Sequence, residues 1–292
     1  MTHVSGGTAR HIVRRWRSLL FVPADQPRLF EKLPRGADAV ILDLEDSVAP
    51  ASKAGARARV PVVVADLLAK GIDVLIRINA PWRLAYEDLE TAVVDGVRAI
   101  VVPKVEHADR VRTVSEMIGE LEAERGLRAG GIGVIALVES PVALPRLYDI
   151  GAIDRVVGLA FGSEDFSMRM GVTPSPANLL LPCQTMVLAA AAEGIMAIGL
   201  PVSLANFTDL DAYEAGATLA REIGMTGALC IHPAQVPIVN AAFSVSDEER
   251  AESERIVAAW EEAVARGQAV LALDGRMIDL PVANRARMLL RR

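Results

Sequence analysis

Short apolar runs alternate along this chain with Ala- and Leu-rich spacers that carry charges at helical intervals. Eight runs recur: RSLLFVP (17–23), ADAVILDLED (37–46), DVLIRIN (73–79), AIVVPKV (99–105), GIGVIALVES (131–140), VVGLAFGSED (156–165), AIGLPVS (197–203) and GALCIHP (227–233). Most are rich in Val, Ile and Leu and bounded by Gly or Pro, which is the pattern of buried strands. The spacers at 60–70 and 109–125 are the clearest helices. The stretch 131–166 reads as strand, helix, strand, with Pro141 suited to a first helical turn. Such units make parallel strands with right-handed crossovers. Eight alternations over about 240 residues match a TIM (β/α)8 barrel in size and count. A doubly wound open sheet is the runner-up, and no Gly-rich phosphate loop follows any run to support it.

The polar positions cluster at one end of the runs. Asp43, Glu45 and Asp46 close the second, Arg77 and Asn79 the third, and Lys104 the fourth. Glu139 closes the fifth and Asp165 the sixth. In a barrel those ends share one rim, and that rim is where active sites are built. The expected organisation is an N-terminal arm over 1–16, a barrel over 17–244 and a C-terminal helical lid over 245–292. In that tail Ser246 and Glu249 have the form of a capping box. Ile256, Trp260, Ala263 and Val264 then fall on one helical face, and Arg266 with Gly267 ends the helix. A barrel does not need this tail, so it covers its own barrel or a neighbour's.

Composition narrows the class. The chain has 292 residues, 52% of them hydrophobic, with a mean hydropathy of +0.31. No apolar run reaches the roughly 18–20 residues that span a bilayer, so no membrane partner is expected. Parallel strands covered on both faces account for the hydropathy. A net charge of −6 argues against nucleic acid, which selects a basic face. Cys183 and Cys230 stand far apart in apolar contexts, so a disulfide framework is not expected. The expected compartment is the reducing cytoplasm.

Glu139 and Asp165 would leave the sheet on the same side, beside Gly162 and Ser163, as a seat for a hard divalent cation. The same positions also suit helix N-caps or solvated loop acids. His3, His11, His107 and His232 have no clustered spacing, which disfavours zinc. Arg77 lies inside a strand run, and a buried Arg needs a charged partner. The Asp43–Asp46 cluster offers one; a fork donor aimed at a substrate carbonyl or carboxylate is the other reading. Lys53 and Arg57, four apart on a helix, fit a solvated face.

The segments RSLLFVPADQPRLFEK, GADAVILDLEDSV, LIRIN, VVPKVE, IALVES, FGSEDF, CIHPAQV and DGRMIDLPV occur in this order. Together they resemble the citrate lyase β-subunit-like group of the HpcH/HpaI aldolase superfamily, which includes malyl-CoA and citramalyl-CoA lyases. The resemblance implies that Glu139 and Asp165 bind Mg²⁺ and that Glu45 and Asp46 hydrogen-bond its waters. It implies that Arg77 stabilises an enolate oxygen, and that Pro23, Lys53 and Arg57 meet the coenzyme A carrier. Asp279 would reach into a neighbouring subunit's site and handle the proton on the thioester α-carbon, in a homo-oligomer (a trimer or dimer of trimers). The implied reaction cleaves or forms a 3-hydroxyacyl thioester from an acyl-CoA and a 2-oxo acid. A class II metal-dependent aldolase on free 2-oxo acids, or a non-catalytic acyl-thioester-binding subunit, are the alternatives. Three departures bear on acyl specificity and on the carrier: Gly199 where Asp is usual, LLLPCQTMVLAA where an Arg-containing segment is common, and Ala24 where Gly is commoner.

Overall fold

The computed structural model describes residues 15–31 and 36–291. Most of the arm expected over 1–16 lies outside these residues. Trp16 is inside them and buried, its indole N–H donating to Asp73 Oδ2 at 2.9 Å.

Each apolar run forms a strand. They are β1 (Ser18–Pro23), β2 (Ala39–Asp43), β3 (Asp73–Arg77), β4 (Val97–Val102), β5 (Gly133–Val138), β6 (Val156–Phe161), β7 (Met196–Ile198) and β8 (Ala228–Cys230). The sheet order is β7-β6-β5-β4-β3-β2-β1-β8, parallel throughout. A parallel bridge between Ile198 and Gly227 joins the two ends, and the Gly199 N–H donates to the Gly227 carbonyl at 2.9 Å. This is a (β/α)8 barrel. Every residue of β2 and β5 is buried, because one face fills the barrel and the other meets helices.

The helices of this unit are α1 (Pro27–Glu31), α2 (Lys53–Ala69), α3 (Trp82–Ala92), α4 (Ala108–Glu124), α5 (Leu147–Gly151), α6 (Ser163–Met170), α7 (Pro176–Glu193), α8 (Leu210–Glu222) and α9 (Gln235–Phe243). Pro141 does open a helical segment, but a 3₁₀ turn over Pro141–Arg146 precedes α5, with Ser140 Oγ accepting from the Val142 N–H. Asp165, expected at a strand end, stands instead in the first turn of α6. At the opposite face of the barrel, the buried Glu122 accepts two 3.0 Å bonds from Arg155 and the N–H groups of Gly130 and Ile132. That fastens the end of α4 to the entry of β5.

Ser244–Arg292 form a second compact unit. It contains α10 (Asp247–Ala265), β9 (Leu271–Leu273), β10 (Arg276–Ile278) and α11 (Leu280–Leu290). The capping box at Ser246 and Glu249 is present in both directions. Ile256, Trp260, Ile278, Ala283 and Ala286 make its core. Val264, expected on the apolar face, is 51% exposed. The unit is not purely helical. β9 and β10 pair as an antiparallel hairpin through Asp274 and Gly275, both at positive φ (50° and 75°), as a two-residue turn with an Asp-Gly centre requires.

Candidate active site

The site begins with three strands whose ends are level. Pro23 pairs in register with Asp43, and Asp43 with Arg77. Arg77 Nε and Nη2 donate to the two Asp43 oxygens, each at 2.6 Å. Its Nη1 lies 3.2 Å from Glu45 Oε2, and the guanidinium covers the Phe21 ring at 4.7 Å. Asp43 also accepts from the Glu45 N–H, the Ser47 N–H and the Ser47 hydroxyl. Burial opposes the Asp43 charge, yet Arg77 and these donors hold the carboxyl below the usual range. Burial likewise opposes the Arg77 charge, and Asp43 and Glu45 outweigh it, so its pKa is raised. The fork is therefore immobile and always charged.

Glu45 is buried and its pKa is raised, first by burial. Both its oxygens lie near cations, Oε1 at 3.0 Å from Lys104 Nζ, but neither takes a well-aligned hydrogen bond. Asp46 is half exposed, 3.4 Å from Lys104 Nζ.

Glu139, just beyond β5, is 4% exposed. Its Oε2 accepts from the Lys104 N–H at 2.7 Å. Lys104 sits at φ 52°, a left-handed backbone that a non-glycine residue holds at a cost of about 1 kcal/mol or more. That strained turn aims the N–H. On the other side, a Cβ at Gly162 would come within 2.6 Å of Glu139 Cγ. Glycine there lets the carboxylate lie against the turn that leads to Asp165. Burial pushes Glu139 up to about 8, and the charges of Glu45 and Asp165 add to the effect.

In this group Asp43, Glu45, Asp46 and Glu139 stand near the cations Arg77 and Lys104, and Asp165 adds a further negative charge near Glu139. The excess negative charge, the raised Glu139, the Glu45 oxygens that take no aligned hydrogen bond and the buried Ser163 hydroxyl without a hydrogen-bond partner all fit a divalent cation with its waters. The donors are hard oxygens. Among the described residues no three His, Cys, Asp or Glu side chains form a closed cage. Two carboxylates with water and substrate completing the shell suit Mg²⁺, which takes few protein ligands.

The other expected residues have other partners here. Lys53 Nζ donates to the carbonyls of Leu44 (2.9 Å) and Glu45 (2.8 Å), bracing the loop after β2. Arg57 pairs with Asp88 (2.9 Å) and Glu87 (2.7 Å) on α3. Pro23 is half-buried on the rim. Asp279, in the second unit, caps α11 by accepting from the Val282 N–H at 3.1 Å. Gly199 stands at φ 147°, and a Cβ there would meet Phe161 Cβ at 2.7 Å, so the backbone excludes a side chain at that position.

A profile of the HpcH/HpaI aldolase/citrate lyase family matches residues 17–233. The chain belongs to this family. It is 32% identical to the citrate lyase subunit beta of Escherichia coli (strain K12), over 99% of this chain and 97% of that protein. It is 31% identical to the L-malyl-CoA/beta-methylmalyl-CoA lyase of Cereibacter sphaeroides (strain ATCC 17025), over 94% and 93%. Among solved structures, CitE of Mycobacterium tuberculosis in complex with magnesium, acetoacetate and coenzyme A matches with a TM-score of 0.72 and 30% identity, over 96% of this chain and 98% of that one. The chain is therefore an enzyme of a lyase family. Its barrel is the family's, and the acids just described are its candidate active site.

Gly162 was placed beside the cation seat from the sequence, but its reason, a close approach to Glu139 that leaves no room for a side chain, shows only in the fold. One position escaped the sequence altogether. Glu164 accepts from the Ser203 hydroxyl at 2.6 Å and the Leu204 N–H at 3.2 Å, tying the loop after β7 to α6. Its partners lie about forty residues away, so no local signal exists.

Proposed function

We propose that this chain is a Mg²⁺-dependent carbon–carbon lyase. It would cleave, or form, a 3-hydroxyacyl-CoA thioester to an acyl-CoA and a 2-oxo acid. The observation that carries this reading is Glu139: a buried carboxylate, pushed up to about 8, fixed by a strained N–H and set beside Asp165. Glu139 and Asp165 would hold the ion, and Glu45 and Asp46 would accept hydrogen bonds from its waters. When bound, Mg²⁺ supplies Lewis-acid polarisation of the substrate oxygens.

As the 3-hydroxyl gives up its proton to solvent water, its oxygen forms the carbonyl of the 2-oxo acid, and the electron pair of the broken carbon–carbon bond stays on the thioester fragment as an enolate. Arg77, locked in plane by Asp43, stabilises that negative oxygen. Asp279 of a neighbouring subunit in a homo-oligomer delivers a proton to the α-carbon, or removes it in the condensation direction. Pro23, Lys53 and Arg57 border the carrier. The compartment is the cytoplasm, where the buried free thiols of Cys183 and Cys230 stay reduced. Among the described residues no helix is long and apolar enough to cross a membrane.

The test is a screen of malyl-, citramalyl-, methylmalyl- and citryl-CoA with and without Mg²⁺, beside calorimetric Mg²⁺ titration. Glu139→Ala and Asp165→Ala should each abolish ion binding and turnover. Activity that survives both changes overturns the reading. The internal partners of Lys53 and Arg57 favour a second reading, a class II aldolase on free 2-oxo acids. Saturation by pyruvate without coenzyme A would select it.

A further inference from the structure

Arg110, in the first turn of α4, is a rim cation that no acid claims. Among the described residues it has no ion-pair partner. Its Nη2 donates to the Ala80 carbonyl at 2.6 Å, and its guanidinium lies over the Trp82 ring at 4.7 Å. Its Nε is buried and takes no acceptor. Burial pushes its pKa down, and only the field of Glu45 works against that. Partly desolvating a guanidinium without a counter-charge is a cost to folding, and one carbonyl offsets little of it. Such a charge is kept for an anion that arrives from outside.

Its place supports this. Trp82 opens α3 just after β3, and Arg110 sits near the start of α4 just after β4. Both lie at the strand ends where Arg77 and Lys104 stand. The Trp82 ring is 46% exposed, so it backs the guanidinium without sealing it off. An aromatic face under an arginine fixes the plane of the fork, and a fork held in plane suits the paired oxygens of a phosphate or carboxylate. Lys53 and Arg57 are already engaged by carbonyls and acids within the fold. Arg110 is not.

The geometry points to an oxyanion-binding subsite made by Arg110 and Trp82, which takes a phosphate of the thioester's carrier or a carboxylate of its acyl group. This rests on the thioester reading above. The test is steady-state kinetics of the full chain with Mg²⁺, on a CoA thioester and on the matching pantetheine thioester, which lacks the nucleotide phosphates. Arg110→Gln should raise KM for the CoA thioester about tenfold or more, with kcat within about twofold, as for a lost charge-assisted hydrogen bond. Arg110→Lys should recover part of the loss, and Trp82→Ala should reproduce part of it. If the anion is a phosphate, the effect vanishes on the pantetheine thioester; if it is a carboxylate, the effect persists on both.

An unchanged KM on both thioesters overturns the subsite. So does a lowered melting midpoint with reduced kcat and unchanged KM, which would assign Arg110 to bracing the Ala80 loop. If the wild-type chain turns over neither thioester, the lyase reading fails instead. The subsite is then decided by calorimetric titration with coenzyme A and, separately, with a free dicarboxylate such as malate: weaker binding of either by Arg110→Gln upholds it, and equal binding of both overturns it.

Discussion

Glu139 is a carboxyl group that the fold buries with no ion-pair partner among the described residues. Its ordinary value of 4.5 rises to about 8. Between those values the folded protein keeps a proton that the unfolded chain gives up, so this group's contribution to stability falls as pH rises through that window. The full effect is of the order of 5 kcal/mol. Without metal, the melting midpoint should therefore lose this contribution between pH 5 and 8, and Glu139→Gln should remove the dependence. Added Mg²⁺ should raise the midpoint most at the alkaline end, where the ligand is already deprotonated. A Mg²⁺-induced shift that is flat across pH would contradict the assignment. The positions of these charges were legible in the sequence, because each acid closes an apolar run. Their partners were not. Arg57 reaches Asp88 and Lys53 reaches the loop after β2 through folding, and no local spacing announces either.

At the scale of elements, the turn from β6 into α6 sets Asp165 near Glu139, the two acids proposed to hold the ion. Gly162→Ala would drive a methyl into Glu139 Cγ, and the side chain would have to move. The expected outcome is a tenfold or greater loss of Mg²⁺ affinity by calorimetry, with about 1–3 kcal/mol of stability lost to overpacking. Unchanged affinity would mean that Glu139 does not need its seat against this turn. The eight strands were readable because parallel strands covered on both sides appear as unbroken apolar runs. β7 and β8 are shorter than their runs, since only three residues of each find ladder partners. The hairpin of the second unit was missed although Asp274-Gly275 is a strong hairpin signal. Its flanking strands are only three residues each and do not alternate cleanly in burial.

At the scale of the whole molecule, Asp279 decides whether the proposed site is private to one chain. If it serves a neighbour, Glu139→Ala and Asp279→Ala are each inactive, but mixed oligomers carry some sites with both residues intact. Random mixing should restore about a quarter of wild-type turnover, measured after co-expression of the two variants. No recovery would place Asp279 outside the neighbour's chemistry. The barrel's closure has its own consequence. β1 and β2 share five register pairs, whereas β7 meets the β8 side through one bridge and a few loop bonds. A hoop parts at its joint. Under heat or tension the staves should separate first between Ile198 and Gly227, where amide protons would trade with solvent early. The ladder from β2 to β5, which carries most of the acids, would still be intact at that moment.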